Sequence, residues 1–184
     1  MRCYAEGMIW LSNSTIARLR DQLRTRGQRP SVALSDVSTL DPQDAELAVV
    51  SAEYGPICEA MYLMMSADGK ISKEERDVLK GALRNLSGDT VRTVHIEAML
   101  DRAAQEAAEH GRDARLRDVV EHLHEDGARA EVTFVLAAAI AFADSAIADE
   151  ENETLNLLAE GLGISEARAD ELLDSVESDL AERR

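Results

Sequence analysis

Aromatic residues, proline and cysteine are all scarce in this chain. Phe, Tyr and Trp together make up 3% of its 184 residues. With so few rings and a net charge of −16, the body has little on which bases could stack and repels phosphate backbones, which excludes nucleic acid as a partner. Three prolines leave long stretches with no helix breaker. Cys3 and Cys58 stand in no metal-type or redox-type spacing and predict two reduced, inert thiols in a reducing cytoplasm. Long apolar runs are missing too. Met8–Leu11 is too short for a signal-peptide core, and Val132–Ala143, the most apolar stretch, is too short to span a bilayer and reads as a buried helix. The chain has no phosphate-binding glycine loop, no nucleophile elbow and no HExxH zinc motif, so no enzymatic reaction is expected.

What is present is charge, unevenly spread, on a helical pattern. Residues 1–30 carry six arginines (2, 18, 20, 24, 26 and 29) against Glu6 and Asp21, leaving 14 basic and 34 acidic side chains in the remaining 154 residues. Cations and basic protein surfaces are the natural partners of such a body, and anions would be repelled by it. Residues 14–26 predict a small basic helix with Ile16, Leu19 and Leu23 on one face. It would pack on the body or on a second subunit as a homodimer contact, or lie on a membrane surface. Residues 27–41, rich in Ser, Asp, Gly and Pro, read as a linker. The expected division is a basic N-terminal helix and linker over 1–40 and a helical domain over 41–184.

Asp41–Pro42 is a helix start, an N-cap acid followed by proline in the first turn. That helix should run to Glu53 and break or kink at Gly55–Pro56, with a second from Ile57 to Ala67. Ser72, with Glu75 three residues on, predicts a capping box and a helix ending near Leu86–Gly88. Apolar stripes then mark helices over 91–109, 113–124, 130–143 and 149–161, with breaks at Gly111 and Gly127. A last helix begins at Ser165 and uses Ala169, Leu172, Leu173, Val176 and Leu180. No stretch alternates with period two. The fold class is all-α, a compact bundle of about seven to nine helices.

Shifting the chain by 76 positions aligns Ala67, Asp68, Ile71, Glu74, Glu75, Leu79 and Leu86 with Ala143, Asp144, Ile147, Glu150, Glu151, Leu155 and Leu162. In each copy an apolar helix ends at Ala-Asp, a short loop holds one Ile, and an acidic first turn opens the next helix. Two pseudo-symmetric helix–loop–helix units are expected.

The stretch Ala67-Asp68-Gly69-Lys70-Ile71-Ser72-Lys73-Glu74-Glu75 followed by Leu79 resembles the acidic loop signature of TerB-like (tellurite-resistance) domains. Ala143 through Glu151 followed by Leu155 is similar to a second occurrence of it. The likeness extends over roughly residues 44–178, including Gly161-Leu162-Gly163-Ile164-Ser165. Ser145 departs from the pattern, which usually has glycine there. The resemblance implies a compact helical fold, a link to tellurite and other chemical stresses, and a metal site, with no established enzymatic reaction. Related domains attached to membrane-associated J-domain co-chaperones also imply an interaction role.

The residues themselves suggest a chemistry for the loops. Asp68 and Glu75 are seven positions apart, as are Asp144 and Glu151, and each pair straddles one turn. Four converging carboxylates would need a cation to coexist, and oxygen-only ligands favour calcium, magnesium or manganese. The spacing is not that of an EF-hand, because Lys70 takes the third position and glycine the second. The competing reading assigns the same acids to helix caps and turns. Asp118, His122 and Glu125 share a helix face that could take a transition metal or be plain solvated surface. His95-Ile96-Glu97 matches the histidine–glutamate step of zinc deaminases but lacks the Pro-Cys-x-x-Cys partner. The functional expectation is a non-catalytic stress-response protein binding a divalent metal through loops 68–75 and 144–151. The alternative is an acidic interaction module without metal.

Overall fold

A computed structural model describes residues 11–25, 41–142 and 149–181, and among them all regular structure is α-helical. The helices are α1 (Asn13–Thr25), α2 (Pro42–Met65), α3 (Lys73–Leu86), α4 (Thr93–His110), α5 (Arg112–His124), α6 (Gly127–Ala141), α7 (Asp149–Gly161) and α8 (Glu166–Ala181).

The most apolar helix occupies the centre. Every residue of α6 from Val132 to Ala141 is buried. Around it pack α1, α2, α3, α5, α7 and α8, while α4 lies on the outer side of α2. With apolar side chains all round it, α6 could be stable only when enclosed. The amphipathic helices supply the enclosure: α3, for instance, turns Val78, Leu79, Ala82, Leu83 and Leu86 inward and, apart from the capping Glu75, holds its charges toward the surface.

Helix starts follow the sequence signals. Asp41 accepts hydrogen bonds from the amides of Gln43 and Asp44 at 2.9 and 3.0 Å. Ser72 and Glu75 form the reciprocal capping box, with Ser72 Oγ accepting from the Glu75 amide at 3.1 Å and Glu75 Oε2 from the Ser72 amide at 2.6 Å. The predicted break at Gly55–Pro56 is corrected. α2 continues from Pro42 to Met65 with Pro56 inside it. Pro56 has no N–H, so the Ala52 carbonyl loses its helical donor. The buried run that follows, Ile57 to Met65, holds the second half of the helix in register. Gly127 also differs from expectation, since it is the first residue of α6 and the turn falls at Glu125–Asp126.

The basic helix α1 belongs to the same hydrophobic cluster as the rest, with Ile16 5% and Leu19 1% exposed. The apolar face that a membrane would need is therefore spent on the body. No described helix is long and apolar enough to cross a membrane. Cys58 is buried with its thiol free, and burial pushes its pKa up to about 12. Cys3 lies outside the described residues.

Candidate functional site

The first acidic loop is held by its own carboxylates. Asp68, exposed at the end of α2, accepts a hydrogen bond from the Lys70 amide at 2.8 Å, and Gly69 takes a φ of 80°. That left-handed turn suits glycine because a Cβ would be strained there. Glu75 is 3% exposed and gives one oxygen to the cap described above. Each acid thus engages a backbone amide at its own end of the loop. Of the second loop, Asp144 and Ile147 lie outside the described residues. Glu151 is half-buried in the first turn of α7, beside exposed Asp149 and Glu150. Among the described residues no three His, Cys, Asp or Glu side chains gather as a metal site would require.

Arg112 does what the sequence did not announce. Its Nε donates to the Leu63 carbonyl in the last turns of α2 at 3.1 Å, and its Nη2 donates to the Thr154 hydroxyl in α7. The Thr154 hydroxyl in turn donates to the Glu150 carbonyl at 2.7 Å. One guanidinium therefore ties the helix leading into the first acidic loop to the helix leaving the second. Nothing in the spacing of Arg112 marks it out. The only signal is an arginine at a helix start, where a carboxylate would suit the dipole better.

The histidines have other employment. Asp118 is taken by Arg115 at 3.2 Å, and His122 and Glu125 are exposed. His95 is 4% exposed and accepts from the Arg92 amide at 3.3 Å. Glu97 pairs with Lys80 at 2.5 Å and Arg76 at 3.6 Å. His124 lies against the turn after α7, its Nδ1 3.0 Å from the Gly161 carbonyl.

A groove of about 610 Å³ opens between α2 and α4. Its floor is made of small residues, including Ala48, Ala52, Gly55, Ala98 and Ala103, with Leu47 and Met99 on its walls. Pro56 is in it too, so the Ala52 carbonyl that lacks its helical donor belongs to the groove. Arg115 closes one end, gripping Glu59 with Nε at 2.7 Å and Nη2 at 3.0 Å. Val49 and Val94, 50% and 63% exposed, stand on the same two helices.

A search of curated proteins found no match, and neither did a search of solved structures. The family model for tellurite resistance protein TerB matches residues 57–179, more than half of the chain. That match begins inside α2 and takes in the first acidic loop, the central helix and most of α8, so this chain belongs to the TerB family.

Proposed function

We propose that the chain is a non-catalytic stress-response module that binds a divalent cation, calcium, magnesium or manganese, through Asp68, Glu75, Asp144 and Glu151. The observation that carries this reading is the Arg112 tie between Leu63 and Thr154, because it draws the approaches to both acidic loops toward one end of the bundle. Two further features support it. The first turn of α7 holds Asp149, Glu150 and Glu151 in succession, more carboxylates than one helix dipole calls for. Asp68 is exposed, and only one of its oxygens is used by the turn. Hard oxygen donors on a strongly acidic surface select hard cations over zinc.

The test is calorimetric titration of chelator-treated protein with calcium, magnesium, manganese and zinc, with Asp68→Ala and Asp144→Ala in parallel. Saturable binding of one hard cation, lost in either variant and accompanied by a raised melting temperature, is expected. Flat isotherms for all four ions would sink the reading and leave the acids as caps.

A second reading, an interaction module without metal, is favoured by the α2–α4 groove. Its floor of alanine and glycine lets another backbone come close, and Leu47 and Met99 in its lining would suit the apolar stripe of a partner's amphipathic helix. A photo-crosslinking side chain at Ala98, compared with one at Glu177 on α8, separates the readings. One partner captured at Ala98 alone, and lost when Ala52→Arg blocks the floor, supports the groove. Equal capture at both positions argues against it.

A further inference from the structure

We propose that the groove between α2 and α4 docks a basic amphipathic helix of a partner protein. This rests on the metal-free interaction reading above and gives that reading the chemistry of its partner. Charge separates this groove from an ordinary seam between helices. α2 carries four carboxylates with neither lysine nor arginine, and α4 carries four carboxylates against Arg102 alone. Neighbouring elements supply partial relief. Arg92 reaches Glu46 at 2.6 Å, Lys80 and Arg76 take Glu97, and Arg115 holds Glu59, while Arg129 acts on Glu53 from α6. Six bases thus meet the eight carboxylates of the two helices, and Asp41 and Asp118 add two more acids on the same side.

The surplus sits where the groove opens. Asp44 lines one end, and hydrogen bonding with the Asp41 side chain, followed by its charge, raises the Asp44 pKa. At the other end Glu106 meets Arg102 only at 3.9 Å and Arg115 only at 4.0 Å, with the exposed His110 at 3.4 Å. Arg115 is already committed to Glu59 by two bonds. Between the ends lies the small-residue floor, and with it the Ala52 carbonyl whose helical donor Pro56 removes. The groove therefore offers mainly acceptors. Arg102, 77% exposed, is the one lysine or arginine that its two walls contribute.

Its dimensions select the kind of occupant. From Asp44 to Glu59 the helical rise makes a trough about 22 Å long. Spread over that length, 610 Å³ leaves a cross-section of about 28 Å², enough for a row of side chains but not for a whole helix of about 10 Å diameter. An extended strand has nothing to pair with, because both walls are helices that keep their amides within their own turns. A helix of about four turns fits, laying side chains at i, i+3 or i+4 and i+7 against Ala48, Ala52 and Ala98. Lysine or arginine on its flanks would meet Asp44 at one end and Asp101 and Glu106 toward the other. A hydroxyl or amide in mid-stripe would satisfy the Ala52 carbonyl. A second copy of this chain is disfavoured as occupant, because its net charge of −16 and the acid surplus of the same face would repel.

The experiment titrates the full chain into a fluorescent synthetic helix of about 15 residues, with alanine and leucine on one stripe and lysine elsewhere. The same peptide with glutamate in place of lysine runs beside it, both at physiological ionic strength. The lysine peptide is expected to bind saturably and the glutamate peptide not at all. Ala52→Leu, which fills the floor without changing charge, should weaken binding by about tenfold or more. Asp44→Asn should weaken it by about two- to fivefold, and Arg102→Ala should tighten it by a similar factor. These opposite signs separate the groove from a general effect of mutation, and Arg102, being exposed, can be replaced without risk to the fold. Asp170→Asn, on the exposed face of α8, should change nothing. Equal binding of the two peptides would overturn the proposal, as would a loss in Asp170→Asn matching that in Asp44→Asn, which is diffuse attraction to an acidic body. Binding of the glutamate peptide alone, lost in Ala52→Leu, would overturn the basic partner while leaving the groove as a docking site. Binding of neither peptide, or lysine-peptide binding that Ala52→Leu and Arg102→Ala leave unmoved, would also overturn the proposal. Capture at Ala98 then decides whether the groove reading falls with it.

Discussion

Arg112 and Thr154 are 42 residues apart, yet the guanidinium of one donates to the hydroxyl of the other. Because the same guanidinium also holds the Leu63 carbonyl, it joins two helices that share no loop. Thr154 is 2% exposed, so removing Arg112 strands polar atoms away from water. Arg112→Ala should destabilise by about 1–3 kcal/mol, read from urea unfolding midpoints. Arg112→Lys should recover less than half of that, since an ammonium cannot reproduce the fork. Full recovery by lysine would mean that charge, rather than geometry, matters.

The capping box at Ser72 and Glu75 makes a separate stability claim. Ser72→Ala removes the acceptor for the Glu75 amide and should cost about 1 kcal/mol. If the loop also binds a cation, that loss should persist in saturating metal, because Ser72 is not a proposed ligand. Unfolding with and without the ion measures both quantities.

Gly161 admits no side chain. A Cβ there would stand 2.2 Å from Val120 Cγ1, well inside van der Waals contact. Gly161→Ala should destabilise by about 1–3 kcal/mol through overpacking. The double variant with Val120→Ala should be less than additive, because the colliding methyl has gone. Additive losses in a double-mutant cycle would place the strain elsewhere.

Acid should loosen the contact between α6 and α8. Arg168 grips Glu131 with two nitrogens, at 2.8 and 3.0 Å, and this bond holds the Glu131 carboxyl below its ordinary value of 4.5. A carboxylate depressed in the folded state contributes stability that is present above its unfolded pKa. That stability is lost as pH falls through the folded value. Urea midpoints should therefore decline below about pH 4.5, and Glu131→Gln should flatten this part of the profile while lowering the plateau. An unchanged profile in the variant would remove Glu131 from the account.

Cys58 should be inert while the chain is folded. Its pKa, pushed up to about 12 by burial, leaves little thiolate at neutral pH, and the thiolate is the nucleophile. In a Cys3→Ser background, a thiol reagent at pH 8 should label Cys58 only at the rate of global opening, and promptly in denaturant. Fast labelling under native conditions would show local opening of α2.

Much of the fold was legible because helix signals are local. The Asp41 cap, the Ser72–Glu75 box and the apolar stripes each depend on residues within one or two turns, and they place the helices nearly where they stand. The acidic loop of the TerB family was legible for the same reason, as one continuous string from Ala67 to Leu79. Pro56 was misjudged because a proline's local penalty can be offset by burial that no window of sequence displays, here the run from Ile57 to Met65. The Arg112 tie and the Glu59–Arg115 pair at the end of the groove were both invisible. Each is set by side chains dozens of residues apart, and only packing around α6 decides which side chains meet.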